Sequence, residues 1–248
     1  MSLFQAFLCG LLYFLAQSNV TMVSYGTIYR PLVNGWLVGC ILGDPVMGVT
    51  IGATINMMFI GFISAGGSLP SDIPMAGILG TALAISAGLD VDAALALAVP
   101  LGLLGAFTWV GRLTLDSFFN PLTEKIIEKN DSLKGLWIPT VILPQLFLFC
   151  ITCVPVTIAA YFGSQVVGDF LNSVAFLVPI MSVVGGLMPA LGIGITLKFI
   201  FQGESRVFLF LGFLLAAYTN LPMIGIGLIA LISAIIYIQI TSKIEGAE

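Results

Sequence analysis

Of 248 residues, 8% are charged and 59% apolar, with mean hydropathy +1.13. A soluble domain carries about a quarter charged residues, so this composition excludes a water-soluble globule. The net charge of −4, spread without a basic patch, excludes a nucleic-acid binder. Histidine is absent, which removes Ser-His-Asp catalysis and any phosphohistidine on this chain.

The first uncharged run, Met1–Tyr29, has polar punctuation at Gln17-Ser18-Asn19. It is long enough for a hydrocarbon core of about 30 Å, which takes roughly 20 helical residues. It lacks a positive n-region, so it reads as a retained segment, not a cleaved signal. Arg30-Pro31 then opens a short run, Leu32–Gly43, closed by Gly43-Asp44-Pro45. Pro at a start and Gly and Pro at a stop mark a half-helix or a strongly tilted one.

Pro45–Ser71 is uncharged but breaks into Ser64-Ala-Gly-Gly-Ser-Leu-Pro70-Ser-Asp72. Broken backbone at membrane depth survives only where protein buries it or a cavity needs it. Residues 49–77 are therefore the predicted substrate region. A small-residue helix follows to Leu89, Asp90 and Asp92 mark a turn and cap, and Ala93–Gly111 returns across. Small residues let helices approach closely in lipid.

The hydrophilic segment, residues 112–134, is predicted to be a cytoplasmic loop containing a surface helix, because cytoplasmic loops collect Lys and Arg. Gly135–Gly168 and Phe170–Leu197 are two further crossings. Val207–Ser242 is broken at Thr219-Asn220-Leu221-Pro222, giving either two crossings or one with a re-entrant piece. The expected fold is all-α: a polytopic membrane protein with several full-length helices plus broken or re-entrant ones. A single membrane-embedded domain spans 1–242, and 243–248 is a short tail.

No P-loop or strand-linked Gly-x-Gly-x-x-Gly offers a nucleotide site. Cys150 and Cys153 form a C-x-x-C in a lipid-like context without a second ligand pair, so they read as packing, and no metal or cofactor is expected. Asp44 and Asp169 read as interfacial helix caps. Asp72 reads equally as a cap or a ligand, and Asn56 as an interhelical bond or a ligand. Asn56 with Thr54, Ser64 and Ser68, plus one carboxylate, suits a sugar, whose hydroxyls both donate and accept. Phe59, Phe62 and Trp109 either face a sugar ring or fill the core.

Several segments together resemble subunit IIC of the mannose/fructose/sorbose family of sugar phosphotransferase systems. They are Arg30-Pro31, Leu42-Gly43-Asp44, Gly52-Ala-Thr-Ile-Asn-Met, Ser64-Ala-Gly-Gly, Pro70-Ser-Asp72, Gly185-Gly186 and Phe213-Leu-Leu-Ala-Ala-Tyr-Thr-Asn220. The resemblance covers about 1–242. It implies a multi-pass subunit of the bacterial plasma membrane that pairs with an inverted IID subunit, in a higher oligomer of the IIC–IID pair. Cytoplasmic IIA and IIB proteins would carry the phosphohistidines, and the sugar, a hexose or amino-hexose, would be phosphorylated as an elevator-like core delivers it inside. It further implies that Asn56, Ser64 and Asp72 bond sugar hydroxyls, with Thr54 and Ser68 supporting, and that Gly66, Gly67 and Pro70 shape the broken backbone. Asn56 stands where mannose members often have Glu, and Ser64 where they often have Asn, which leaves the sugar open. The rival readings are a stand-alone ion-coupled secondary transporter and a non-transporting partner in a membrane complex.

Overall fold

The computed structural model describes residues 1–20, 26–60, 71–129, 135–173, 176–201 and 206–245. All regular structure among them is helical. The helices are α1 (Leu3–Gln17), α2 (Pro31–Leu42), α3 (Pro45–Met58), α4 (Ile73–Ala87), α5 (Val91–Asp116), α6 (Asn120–Lys129), α7 (Leu143–Ser173), α8 (Leu177–Ile200), α9 (Arg206–Tyr218) and α10 (Met223–Glu245). Three helical stretches, Val91–Glu128, Ile138–Val167 and Met223–Ile240, are long and apolar enough to cross a membrane.

Local chemistry sets the ends. Ser2 and Gln5 form a reciprocal capping box at α1. Pro31 opens α2, and Gly43 closes it at φ 91°, a left-handed conformation that glycine adopts without a Cβ clash. The Asp44 carboxylate accepts from Met47 N at 3.0 Å, and the Asp90 carboxylate from Ala93 N at 2.9 Å, satisfying N–H groups left bare at the starts of α3 and α5. The sequence-based readings of Asp44 and Asp90 as caps match these bonds. A π-helical turn at Ile138–Ile142 leads into α7, and Pro155 sits inside it.

Two uncharged runs behave differently from their length. α1, in Met1–Tyr29, has 15 residues, and α3, in Pro45–Ser71, has 14. At 1.5 Å per residue these span about 21–23 Å, short of the roughly 30 Å core. α2 and α4, with 12 and 15 residues, are short as well.

The chain packs as two units, Met1–Ile193 and Gly194–Glu248. In the first, α2 and α3 form a tight hairpin. A Cβ on Gly35 would stand 2.7 Å from Gly52 Cα, and one on Gly48 2.7 Å from Gly39 Cα. Two backbones pressed this closely require glycine on both. α4 is almost wholly buried. One apolar cluster joins it to α1, α2 and α7 through Tyr13, Val38, Leu79 and Val156. Another joins it to α3 and α5 through Ile51, Ile55, Ile73 and Ala98. In the second unit, α9 and α10 pack against each other, with Phe208 and Tyr237 edge to face at 5.5 Å.

Candidate functional site: a buried polar layer where short helices end

Four of the helices, α1 to α4, are too short to cross a core of roughly 30 Å. The C-terminus of α1 meets the N-terminus of α4, where Gln17 lies against Asp72. Pro31 at the start of α2 lies against Gly52 in the middle of α3 and Gly77 in the first turns of α4. Asp72 N donates to Gly102 O at 2.8 Å, which ties this level to α5. From the Asp90 cap to Gly102 is about 18 Å along α5, close to the midpoint of that 26-residue helix.

Asp72 is 1% exposed and accepts from three donors. Its Oδ1 accepts from Met75 N at 2.8 Å and caps α4. Its Oδ2 accepts from the Tyr13 hydroxyl at 2.8 Å and from Gln17 Nε2 at 2.6 Å. Gln17 Nε2 also reaches the Tyr13 oxygen at 3.3 Å. A buried carboxylate is tolerated only with such bonds, and here they come from α1, one face of which presents Tyr13 and Gln17 at i, i+4 spacing. α5 makes room: a Cβ on Gly105 would overlap Asp72 Cβ and stand 2.7 Å from Met75 Sδ, and one on Gly102 would overlap Ser71 Oγ.

Arg112 closes the layer on the side of the hydrophilic segment. Its Nη1 donates to Gln17 O at 2.7 Å, where the last turn of α1 leaves carbonyls unpaired. Its Nε pairs with Asp116 at 3.5 Å, and its guanidinium lies 5.6 Å over the Trp109 ring. The Ser18 hydroxyl donates to Gln145 Oε1 at 2.8 Å, tying the same end of α1 to α7.

Two side-chain acceptors at this level are buried with no donor: Gln17 Oε1 and Asn34 Oδ1. Asn34 Nδ2 is used, donating to Ile28 O at 3.1 Å. Buried polar groups are seldom left this way without a ligand or water to complete them. An environment of acceptors and neutral amides is suited to a ligand rich in hydroxyl donors.

The sequence-predicted residues divide as follows. Asn56 is half-buried in the last turn of α3, between the buried Ile55 and Met58. Thr54 is half-buried and its hydroxyl donates to Thr50 O at 2.8 Å. Ser64, Gly66, Gly67, Ser68 and Pro70, with Phe62, lie outside the described residues. Phe59 is a core residue, 2% exposed. Asp169 falls in the last turns of α7, and its side chain is outside what is described. Sequence reasoning missed the roles of Tyr13, Gln17, Asn34 and Arg112. Its one available signal was that Tyr13 and Gln17 are polar-tipped side chains one helical turn apart in an uncharged run.

A family model described as the sorbose-specific IIC component of the phosphotransferase system matches residues 3–236. The mannose-specific EIIC component of Escherichia coli K12 is 29% identical over 218 residues, covering 87% of this chain and 81% of the relative. A solved membrane protein superposes with a TM-score of 0.75 at 24% identity, covering 96% of both chains. A chain in the cryo-EM structure of the mannose transporter ManYZ with microcin E492 gives a TM-score of 0.59 at 24% identity, covering 96% of this chain and 94% of that one. At such identities the structural likenesses speak for the fold.

Proposed function

Because this chain belongs to the family of sorbose-specific IIC components of the sugar phosphotransferase system, we propose that it binds a hexose or amino-hexose at the buried polar layer and passes it inward for phosphorylation by a separate IIB protein. As a IIC component it is a multi-pass transport subunit of the bacterial plasma membrane. In this reading it carries no phosphate itself, having no histidine. In the same reading it works beside a IID membrane subunit, with IIA and IIB supplying phosphate. A shift of the short-helix core relative to the rest, elevator-like, carries the sugar.

The observation that carries the proposal is the meeting of the end of α1 with the start of α4 at a buried carboxylate, beside residues 61–70, in a chain whose helices α1 to α4 are too short to cross the core. Helices that end inside the membrane are how transporters build substrate sites. Asn56 stands at one flank. Asp72 stands at the other, with three of its roughly four lone-pair positions already taken. Asp72 therefore offers a sugar at most one acceptor position, and its larger part is to hold Ser71 and the start of α4 in place. Ser64 and Thr54 complete the polar contacts, Ser68 supports them, and Gly66, Gly67 and Pro70 shape the backbone between.

One feature favours the ion-coupled rival: a buried carboxylate whose hydrogen-bond partners are all neutral. Uptake separates the two. Vesicles are loaded with phosphoenolpyruvate and the soluble phosphotransferase proteins, with and without a co-expressed IID subunit. Sugar phosphate forming inside only when both membrane subunits are present is the expected result. Free sugar accumulating with this chain alone, under an ion gradient, overturns it.

A further inference from the structure

Gln17 is used on one side only. Its NH2 group is fixed between Asp72 Oδ2 at 2.6 Å and the Tyr13 oxygen at 3.3 Å. That bonding sets the amide's orientation, because turning it over would press Oε1 against a carboxylate oxygen. Its backbone carbonyl is also occupied, by Arg112. The side chain is 3% exposed, and its remaining atom, Oε1, is buried without any donor. An acceptor desolvated and left unpaired is unfavourable unless something arrives to donate to it.

We infer that Gln17 is a specificity-determining residue whose Oε1 accepts a hydrogen bond from one hydroxyl of the bound sugar. The inference rests on the sugar-binding reading above. What carries it is the pairing of a rigidly held amide with a free buried acceptor, on the residue that touches Asp72 at the flank of the broken segment. A site built to pair with a ligand hydroxyl discriminates strongly against the analogue that lacks it, since the acceptor is then left unpaired. The amide oxygen selects which hydroxyl must be present and able to donate, while Tyr13 acts only through Asp72 as a positioning residue.

The test is equilibrium binding to the purified complex of this chain with its IID subunit. The probes are the parent hexose and the set of its mono-deoxy analogues. In the unaltered protein, one deoxy analogue binds roughly tenfold more weakly than the parent. In Gln17→Met, similar in length and without an acceptor of comparable strength, the parent weakens to the level of that analogue and the discrimination disappears, while the other analogues keep their ratios to the parent. Tyr13→Phe lowers affinity for every sugar alike and keeps the discrimination. Asp72→Asn gives an independent check should Gln17→Met fold poorly. The new side-chain NH2 can donate to Oε1, turning the Gln17 amide over, and discrimination at the same hydroxyl falls although Gln17 is still present. If Gln17→Met, or Asp72→Asn where only that variant folds, leaves every ratio as in the unaltered protein, the inference is overturned while the sugar-binding function stands. If the unaltered complex binds no sugar, both fall together.

Discussion

Gly105 sets how closely Asp72 can lie against α5. Any Cβ there would overlap Asp72 Cβ and crowd Met75, and neither is the free end of a flexible chain lying in open space. Gly105→Ala is therefore expected to push the start of α4 outward at a cost of about 1–3 kcal/mol, the usual range for overpacking. Thermal unfolding in detergent reads this as a lowered Tm. Gly111→Ala, with nothing near its added Cβ, serves as the control and should be neutral or slightly stabilising. Equal Tm values for the two variants would contradict the packing described here. Asn56→Ala makes the opposite kind of change. Half-buried at the end of α3, it should cost little stability yet weaken sugar binding roughly tenfold, and unchanged binding by titration calorimetry removes Asn56 from the site. The sequence marked Asn56 and Asp72 because large polar groups stand out in an apolar run. It could not mark Gln17 or Tyr13 as partners of Asp72, since that bond joins residues 55 and 59 positions apart and no local pattern records which face of α1 meets α4.

At the scale of elements, the legible boundaries were those written in backbone chemistry: Pro31, Gly43, Asp44-Pro45 and Asp90 each stand where a helix starts or stops. The lengths of α1 and α3 were not legible in the same way. Hydropathy sums the apolar residues of Met1–Tyr29 and Pro45–Ser71 but does not detect that the hydrogen-bond ladder ends at Gln17 and Met58. The end of α1 is stabilised from outside by Arg112 on its last carbonyls and by Ser18 on Gln145, contacts that tertiary structure alone supplies. The glycine seam of the α2–α3 hairpin is the element most exposed to a single change. Gly48→Leu would drive a branched side chain into the backbone of α2, where even a Cβ stands 2.7 Å from Gly39 Cα. The hairpin cannot close around it, so folded protein recovered by size-exclusion chromatography should fall to a small fraction of normal. A normal monodisperse yield would mean that α2 and α3 are not packed this tightly.

For the whole molecule, the contacts at the two ends of α1 determine sidedness. Gln5 Nε2 donates to Ile41 O at 3.0 Å, placing the start of α1 beside the Gly43–Asp44 turn. Arg112 binds the other end of α1 at Gln17 O. The hairpin turn and the Arg112 part of α5 thus lie at opposite ends of α1, about 22 Å apart. Because basic residues collect in cytoplasmic loops, we expect Arg112–Lys129 inside and Asp44 outside. The expectation can be checked with single cysteines at Asp44 and at Lys125, in a background where the exposed Cys40 and Cys150 are replaced by alanine. A membrane-impermeant maleimide added to intact cells should label Asp44→Cys and spare Lys125→Cys until the cells are permeabilised. The reverse pattern would invert the topology and turn the polar layer's Arg112 side outward. Labelling of both from outside would break the link between α1's two ends on which this sidedness rests. The expected pattern leaves Arg112, bound to the end of α1, between the polar layer and the cytoplasm.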